Sequence, residues 1–517
     1  MPSLTGIRRA AALGVAAVAV TACTASPPAP AAPAAAPTPP VQWSECGPNL
    51  DCATYRVPVD HANPGGPAVP LALVRYRASD PARRLGVLLV NPGGPGAPTG
   101  DLVKAIDTAG EYSFVTPELA ARYDVIGMDP RGVGESQGVR CLSDADREVA
   151  LARDVDPDLP GGVPRPVLEE DVRALAAGCA AGVDGALLPQ LSTDVVAQDM
   201  DLVRAGLGEE KLSYLGLSYG TLLGATYATL FPDRVDRMVL DAPVDPTLWR
   251  DDPLRATYEQ AVSGERQLDA WFATCRAESC PFGAGDPEAA FDALIDRLEA
   301  TPLPVAPSAA GPGGHLDGGT ALMAARTAVF DRRLWPLLTA GLQAAEAGDG
   351  TMLLTLSTTL VREPDGTPNG LTEANLAVNC LDRAMPTDFA AHEANAAAIV
   401  ADAPRFGAIS SYVMLGCTVW PAQNPDRYDA PLTAEGAPPI LVVGGREDSQ
   451  TPYPWSQALT AGLADATLLT REGIGHGSYR ASGPCIDSAV DAYLLDGTMP
   501  AEGTVCAQEP PATTLPR

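Results

Sequence analysis

The sequence is poor in positive charge. Its 517 residues include 35 lysines and arginines against 64 aspartates and glutamates, which gives a formal net charge of −29 at neutral pH. A surface this acidic repels nucleic-acid phosphates and anionic lipid headgroups. Nucleic acid is therefore excluded as an expected partner. Hydrophobic residues make up 46% of the chain, so a sizeable folded core is expected instead.

Histidine is also scarce, and the common zinc-binding patterns are missing. The sequence contains neither CxxC nor HExxH, and its histidines are far apart: His61, His315, His392 and His476. Zinc sites usually combine closely spaced histidine and cysteine ligands. No metal site is predicted.

The N-terminal apolar run is too short to span a bilayer as a helix. It covers Ala10–Val20, follows the basic pair Arg8-Arg9 and leads into Val-Thr-Ala-Cys, which ends at Cys23. A basic start, an apolar stretch and small residues at the end are typical of a signal peptide, here residues 1–22. Val-Thr-Ala-Cys also resembles a bacterial lipobox, which predicts lipidation of Cys23. The alternative is an ordinary signal peptide in which Cys23 is incidental.

Residues 23–40 form an uncharged segment rich in alanine and proline. Such a composition cannot build a core and predicts a stiff, extended spacer. We therefore expect an exported protein, which is either held by its lipid at the outer face of the cell membrane or secreted. The Arg8-Arg9 pair leaves both Sec and twin-arginine export open.

The remaining cysteines are even in number once Cys23 is set aside from the 11 in the chain. In an exported chain this predicts disulfides. The number of cysteines leaves the connectivity open, but we expect neighbouring cysteines to pair, because short loops close at the lowest entropy cost. The predicted pairs are Cys46–Cys52, Cys141–Cys179, Cys275–Cys280, Cys380–Cys417 and Cys485–Cys506.

Strand and helix patterns alternate through much of the chain. Short runs rich in valine, leucine, isoleucine and tyrosine predict strands at Ala68–Arg77, Leu85–Asn91, Tyr123–Asp129, Lys211–Leu217, Arg237–Leu240, Pro439–Gly444 and Ala466–Leu469. An earlier strand at Ala53–Val57 is left open; with it, Leu85–Asn91 would be the third strand of the core. Apolar residues at helical spacing predict helices over Asp194–Leu207 and Thr221–Phe231. This alternation predicts an α/β fold with a mostly parallel central sheet.

A mainly helical segment over residues 249–429 interrupts the α/β pattern. Long helices are predicted at Ala256–Arg276, Pro287–Ala300 and Thr320–Ala347. Residues 41–248 and 430–517 would then form the two parts of one core, and the segment between them would form a cap.

Two serines lie in the pattern GxSxG: Ser218 in Gly-Leu-Ser-Tyr-Gly and Ser136 in Gly-Glu-Ser-Gln-Gly. A nucleophile elbow needs a buried strand before the serine and a helix after it. Ser218 has both. Ser136 follows no strand directly and is expected to have a structural role in a loop.

A serine hydroxyl needs a base to remove its proton as it attacks. His476 follows the last predicted strand, in Gly-Ile-Gly-His-Gly, and the acid is expected after the preceding strand. Asp448 is favoured because it precedes the Thr451-Pro452 turn, and Glu447 is the alternative. The acid would hold the imidazole in the correct tautomer.

An oxyanion formed at Ser218 would need hydrogen-bond donors. Asn91-Pro-Gly-Gly-Pro-Gly96 follows a buried strand, at the place where α/β-hydrolases provide a backbone donor. The predicted donors are the N–H groups of Gly94 and Tyr219. A plain turn is the alternative interpretation of this loop.

Five motifs together resemble the secreted actinobacterial tripeptidyl aminopeptidase family, α/β-hydrolases related to proline iminopeptidases. They are Asn91–Gly96 (NPGGPG), Asp129–Gly134 (DPRGVG), Gly216–Gly220 (GLSYG), Asp448–Pro452 (DSQTP) and Gly475–Gly477 (GHG). The resemblance runs from about Trp43 to Cys506 and implies an α/β-hydrolase fold with a large, mainly helical cap. One departure is Asn91, where proline iminopeptidases have histidine, so their preference for proline is not carried over.

The resemblance implies an exopeptidase that releases short peptides or single residues from free N-termini, without a metal or organic cofactor. It supports Ser218 as nucleophile, Asp448 as acid, His476 as base, and the amides of Gly94 and Tyr219 as the oxyanion hole. A monomer is expected.

An aminopeptidase must also bind the ammonium group of its substrate. Asp382, in Asn-Cys-Leu-Asp, is the candidate, and an exposed carboxylate at a helix end is the alternative. A carboxylesterase or lipase, or a hydrolase of small-molecule amides, could use the same triad. A non-catalytic binding lipoprotein on this fold is a third possibility.

Overall fold

The computed structural model describes residues 39–151, 165–307, 313–363, 366–425 and 427–510. The predicted signal peptide and Cys23 lie outside these residues, as does the spacer up to residue 38. The described residues belong to one compact unit.

In the described residues, ten strands form one mixed sheet in the order β1-β2-β3-β5-β4-β6-β7-β10-β11-β12. The strands are β1 (Ser44–Gly47), β2 (Leu50–Pro58), β3 (Ala68–Tyr76), β4 (Gly86–Asn91), β5 (Tyr123–Met128), β6 (Leu212–Leu217), β7 (Val235–Asp241), β10 (Ile440–Glu447), β11 (Ala466–Ile474) and β12 (Val505–Ala507), while β8 (Leu303–Val305) and β9 (Gly314–Leu316) pair separately. From β5 to β12 all neighbouring strands are parallel, and β1, β2, β3 and β5 pair antiparallel. The predicted mostly parallel sheet is confirmed.

The sheet is covered on both faces. All six residues of β4 are buried: Val87 and Leu89 pack into one hydrophobic cluster, and Leu88 and Val90 pack into another. Continuous apolar runs are what a parallel strand needs when helices cover it on both sides. The carboxyl ends of the parallel strands consequently meet at one edge, where the loops after β4, β6, β10 and β11 converge.

Helices surround this sheet and build the segment between β7 and β10. They are α1 (Gly100–Lys104), α2 (Pro117–Arg122), α3 (Asp144–Leu151), α4 (Arg165–Gly182), α5 (Thr193–Gly206), α6 (Tyr219–Leu230), α7 (Pro246–Asp251), α8 (Pro253–Glu278), α9 (Pro287–Ala300), α10 (Gly318–Val329), α11 (Trp335–Glu346), α12 (Thr351–Thr358), α13 (Leu371–Asp382), α14 (Phe389–Asp402), α15 (Phe406–Ser410), α16 (Tyr453–Gly462) and α17 (Pro484–Asp496). Among the described residues, none of the helices has both the length and the hydropathy that crossing a bilayer would require.

The segment between β7 and β10, called the cap below, has a hydrophobic core of its own. Its centre is aromatic and includes Trp271, Phe272, Phe282 and Phe291. Edge-on packing of such rings adds to the stability that burial provides. The cap can therefore hold rigid positions over the sheet edge.

One predicted helix of the cap is wrong in extent. The pattern over residues 320–347 predicts a single helix, but α10 ends at Val329 and α11 begins at Trp335, with a 3-10 turn between them. The side chain of Asp331 accepts a hydrogen bond from the N–H of Arg333, and Pro336 provides no N–H for a continuing helix. The apolar residues keep their helical spacing across the break, so the pattern alone predicts one continuous helix.

The predicted disulfide pairs are confirmed. Each cysteine bonds to its neighbour along the chain, in the pairs Cys46–Cys52, Cys141–Cys179, Cys275–Cys280, Cys380–Cys417 and Cys485–Cys506. Cys380 and Cys417 join α13 to the segment that follows α15.

Candidate active site

Ser218 lies in the turn between β6 and α6. Its backbone has φ 59° and ψ −126°, a conformation that a non-glycine residue rarely adopts. Its N–H donates to the carbonyl of Asp241, at 2.9 Å, which fixes the turn to the end of β7. A strained turn from strand to helix is the geometry of a nucleophile elbow.

The glycines on either side of Ser218 are required by close packing. A Cβ at Gly216 would lie 2.4 Å from the carbonyl oxygen of Gly220, and a Cβ at Gly220 would lie 2.7 Å from the carbonyl oxygen of Asn91. Such distances are far below van der Waals contact, so only glycine fits. The GxSxG pattern thus reflects crowding within the elbow and between the elbow and the end of β4.

The loop after β4 packs directly on the elbow. A Cβ at Gly93 would lie 2.9 Å from the N atom of Tyr219 and 3.0 Å from the Cβ of Ser218. The side chain of Asn91 is buried, and its Oδ1 accepts the N–H of Gly93 at 2.9 Å. Asn91 thereby shapes this loop, a role that sequence reasoning missed.

The two predicted oxyanion donors lie in this region. Tyr219 is the first residue of α6, where an N–H has no partner within the helix. The N–H of Gly94 makes no hydrogen bond to another described residue. Both amides are therefore free to donate to an oxyanion, and their role stays a prediction.

His476 and Asp448 are brought together as the sequence predicts. The Nδ1 atom of His476 lies 2.8 Å from Oδ1 of Asp448. Asp448 is 1% exposed, and its carboxylate also accepts the N–H groups of Gln450, Thr451 and Gly477. The alternative acid, Glu447, has an exposed side chain.

The charge on Asp448 is stabilised by its surroundings. Burial alone would raise the pKa of this carboxyl, but the charge and hydrogen bond of His476, the charge of Arg471 and the N–H of Thr451 together outweigh burial, so the pKa lies below its usual value. Asp448 is consequently ionised at neutral pH and can stabilise a protonated imidazole.

Ser218 and His476 do not hydrogen-bond to each other in this structure, but Asp241 connects their loops. Its carbonyl accepts the N–H of Ser218, and its Oδ2 accepts the N–H groups of Ser478 and Tyr479, both at 2.8 Å. Catalytic hydrogen bonds are often long without substrate, so the missing contact does not exclude a triad. Asp241 is a positioning residue that the motifs did not indicate.

A buried arginine supports the loop that carries His476. Arg471 is 1% exposed and donates to the carbonyl oxygens of Ile474 and Gly475, at 2.9 and 2.5 Å. These bonds hold the chain immediately before His476. The sequence offered no signal for this role, because an arginine late in a strand usually faces solvent.

The cap holds the acid loop through one face of α8. Gln260, Ser263 and Gln267 donate side-chain hydrogen bonds to three backbone carbonyls, those of Gln450, Asp448 and Glu447 respectively. The distances are 2.9, 2.6 and 2.9 Å. Residues at this spacing share a helix face, so one face of α8 holds the backbone around the predicted acid, Asp448, by hydrogen bonds.

The cap also contacts His476, the predicted base. The carbonyl of Phe330 accepts the N–H of His476 at 2.6 Å, and the two rings meet edge to face with centroids 6.3 Å apart. Phe330 lies where α10 ends, so its carbonyl is available for this contact. The break between α10 and α11 is thus part of the site.

We expect Ser263→Ala to lower kcat about 3- to 10-fold and to leave KM nearly unchanged, since one neutral hydrogen bond to the acid loop is lost. Steady-state kinetics on purified protein would measure this. Thr274→Ala removes a hydroxyl from the same helix that bonds only to the carbonyl of Ala270, and it serves as the control. Equal effects of the two changes would contradict a positioning role for Ser263.

Asp382 lies in a buried network rather than beside the imidazole. Its carboxylate is paired with Thr193, whose N–H donates at 2.9 Å and whose hydroxyl oxygen lies 2.5 Å away. The same hydroxyl contacts the phenolic oxygen of Tyr219. Asp382 is 4% exposed and lines a cavity of about 20 Å³, room for roughly one water molecule. Its predicted contact with a substrate ammonium stays a prediction.

Burial raises the pKa of Asp382 to about 7. Because the pKa is raised in the folded state, the protonated carboxyl stabilises the fold. This stabilisation is complete below about pH 4 and is lost as the pH rises through 7. Asp382→Asn does not titrate, so we expect it to gain stability relative to wild type between pH 4 and 8, on the order of a few kcal/mol. Urea unfolding at several pH values would measure this, and a pH-independent difference would contradict it.

Ser136, the second serine in a GxSxG pattern, is a buried structural residue. Its Oγ donates to the carbonyl of Asp129 at 2.7 Å and accepts the N–H of Ala72 at 2.8 Å. It is 0% exposed, so no substrate can reach it. In the parts of the chain that the structure describes, no three His, Cys, Asp or Glu side chains cluster as a metal site would require.

Comparison with known proteins agrees with this geometry. The family model described as alpha/beta hydrolase fold matches residues 86–287, and the one described as TAP-like protein matches residues 403–506. The chain is 32% identical over 487 residues to the serine protease Hip1 of Mycobacterium tuberculosis, covering 90% of this chain and 91% of that protein.

Two further relatives are similar over most of their length. The tripeptidyl aminopeptidase of Streptomyces lividans is 31% identical over 492 residues, covering 92% of this chain and 88% of that protein. Carboxylesterase B of Mycobacterium tuberculosis is 33% identical over 473 residues, covering 88% and 86%. The chain therefore belongs to the tripeptidyl aminopeptidase family of α/β-hydrolases and is a serine hydrolase.

Proposed function

We propose that this protein is an aminopeptidase that releases short peptides, of the tripeptidyl type, or single residues from free N-termini. The observation that carries the proposal is the His476–Asp448 pair at the sheet edge that also presents the strained Ser218 elbow. The similarity to a tripeptidyl aminopeptidase over 92% of the chain supports the substrate class.

In the proposed mechanism, Ser218 attacks the scissile carbonyl while His476 takes the proton from its hydroxyl. The N–H groups of Gly94 and Tyr219 hold the oxyanion of the tetrahedral intermediate. His476 then gives the proton to the leaving amine. Water, activated by the same imidazole, hydrolyses the acyl-enzyme and restores Ser218.

A carboxylesterase, or a hydrolase of small-molecule amides, is the second candidate. The 33% identity to carboxylesterase B favours it specifically. The same triad and oxyanion hole serve ester and amide substrates, and the pocket decides between them.

Three chromogenic substrates separate these candidates: a tripeptide anilide with a free N-terminus, its N-acetylated twin and a short acyl ester. Cleavage of the free tripeptide alone supports an aminopeptidase. Cleavage of the ester alone moves the assignment to carboxylesterase. Each rate is compared with that of Ser218→Ala, so that contaminating activities are subtracted.

Asp382 is the proposed ligand of the substrate ammonium, which would have to compete with Thr193 for the carboxylate. Asp382→Asn should then reduce the preference for the free over the acetylated tripeptide. If the preference is unchanged, Asp382 only supports the network around Tyr219.

We also propose that the protein is exported and carries a lipid on Cys23. The disulfides support an oxidising compartment. Cys23→Ser should release the protein from the membrane fraction into the medium. If both forms fractionate alike, the lipid anchor is excluded.

A further inference from the structure

The cap helix α13 lies against the loop that carries the predicted oxyanion donor Gly94. A Cβ at Gly96 would lie 2.9 Å from the N atom of Asn375 and 3.1 Å from the carbonyl oxygen of Leu371, both of which belong to α13. Backbone atoms at such distances leave room only for glycine. The last glycine of the NPGGPG motif is therefore required by the close approach of the cap.

A side chain of α13 also bonds to this loop. The Nδ2 atom of Asn375 donates to the carbonyl oxygen of Pro95 at 2.9 Å. The two residues are 280 positions apart in the chain, so no local motif marks the contact. Because Pro95 directly follows Gly94, the bond holds the backbone one residue from the predicted donor.

The orientation of the Asn375 amide is fixed by its neighbours. A carbonyl oxygen can only accept, so the amide nitrogen of Asn375 must face Pro95. The amide oxygen of Asn375 then accepts from Nδ2 of Asn379, one helical turn later, at 3.0 Å. The same nitrogen of Asn379 donates to the backbone carbonyl of Asn375 at 2.9 Å, and Asn379 is buried. Asn375 is thus held as a donor toward the loop.

α13 is itself anchored towards both of its ends. Near its start, Glu373 forms a buried ion pair with Arg147, with Nε of the arginine 2.7 Å from Oε2 of the glutamate. Near its end, the disulfide between Cys380 and Cys417 joins it to the segment after α15. A helix anchored in this way can keep a side chain in a fixed position over the loop.

Gly94 lies between two supports. On one side, Gly93 packs on the elbow, as described above. On the other side, α13 holds Pro95 and approaches Gly96. Gly93, Pro95 and Gly96 are buried, whereas Gly94 is exposed. Gly94 is therefore an accessible residue in a stretch that is fixed on both sides, as a preorganised oxyanion donor must be.

We propose that Asn375 is a positioning residue of the oxyanion hole, an inference that rests on the proposed function because Gly94 is a predicted donor there. By holding the carbonyl of Pro95, Asn375 keeps the adjacent N–H of Gly94 where the oxyanion forms. The hydrogen bond to the oxyanion is strong in the transition state and weak or absent with the bound substrate. Asn375 should therefore affect kcat rather than KM.

Two substitutions of Asn375 test this role. Asn375→Ala and Asn375→Leu both remove the donor, but alanine leaves space and leucine fills it, so the test does not depend on the folding of one variant. Asn395 of α14 provides the matched control, because its Nδ2 donates to the carbonyl oxygen of Leu254 in α8 at 3.1 Å. Asn395→Ala and Asn395→Leu lose the same kind of bond between two helices of the cap.

Steady-state kinetics would use whichever of the three chromogenic substrates the wild type cleaves fastest. Complete labelling of Ser218 with a fluorophosphonate counts the competent sites, so that unfolded protein does not lower the measured kcat. We expect kcat per labelled site to fall about 10- to 50-fold in both Asn375 variants, with KM within about twofold of wild type. Outright loss of an oxyanion donor costs about 100- to 1000-fold, and displacement of one should cost less.

Binding of phenylboronic acid distinguishes a displaced oxyanion donor from a general loosening of the cap. The Oγ atom of Ser218 adds to boron, its proton passes to His476, and an oxygen of the tetrahedral boronate takes the place of the oxyanion. The affinity is measured as protection of Ser218 from the fluorophosphonate, which needs no substrate. The dissociation constant should rise at least about fivefold in the Asn375 variants and stay within about twofold in the Asn395 variants.

Three results would each overturn the proposal: an unchanged dissociation constant for the boronate, a kcat within about twofold of wild type in the Asn375 variants, or an equal loss of kcat in the Asn395 variants. Failure of the proposed function gives a different result. If wild type cleaves only the ester and the Asn375 variants lose that activity, the aminopeptidase assignment fails and the role of Asn375 stands, because one oxyanion hole serves both reactions.

Discussion

Ser218→Ala should reduce kcat by about four to six orders of magnitude, the largest effect expected from a single substitution in this protein. The change removes the attacking oxygen and leaves the elbow otherwise intact. Alanine at φ 59° is no more strained than serine, so the fold should persist. Turnover of the best substrate, with thermal unfolding to verify the fold, measures the effect.

Ser136→Ala is the matched control, because Ser136 lies in the same sequence pattern. It should cost about 1 to 3 kcal/mol of unfolding free energy, since the N–H of Ala72 loses its acceptor. The kcat of the folded protein should be unchanged. An inactive but folded Ser136→Ala protein, or an active Ser218→Ala protein, would reverse the assignment of the nucleophile.

Asp448→Asn should lower kcat by roughly four orders of magnitude. The carboxylate accepts the Nδ1 proton of His476 and so leaves Nε2 free to act as base. An asparagine can present an N–H there instead and stabilise the opposite tautomer. The pKa of Asp448 lies below its usual value, so its carboxylate is ionised at neutral pH and stabilises the imidazolium of His476. Asparagine carries no charge and loses this stabilisation.

Glu447→Gln is the control for Asp448→Asn. The two acids are adjacent in the chain, but the side chain of Glu447 is exposed. The contact of Glu447 with the cap is made by its backbone carbonyl, which accepts a hydrogen bond from Gln267 and which the substitution leaves in place. We expect kcat within about twofold of wild type. If Glu447→Gln lost most of its kcat while Asp448→Asn stayed active, Glu447 and not Asp448 would be the acid of the triad.

Much of the fold follows from patterns that are local in sequence. Strands such as Gly86–Asn91 are continuous apolar runs bounded by glycine and proline, so their burial on both faces is readable without a structure. The disulfides connect neighbours because short loops close easily. The break between α10 and α11 was missed because apolar periodicity runs through it, and a capping aspartate with one proline gives only a weak signal.

The sequence by itself determined the order of the proposed nucleophile, acid and base along the chain. Each follows a strand of a parallel sheet, and the carboxyl ends of such strands meet at one edge. Tertiary structure alone decided how that edge is supported: Asp241 joins the elbow to the base loop, α8 clamps the acid loop, and Phe330 contacts His476. These contacts join residues far apart in the chain, and many of them end on backbone carbonyls. A carbonyl is the same for every residue type, so no motif marks it.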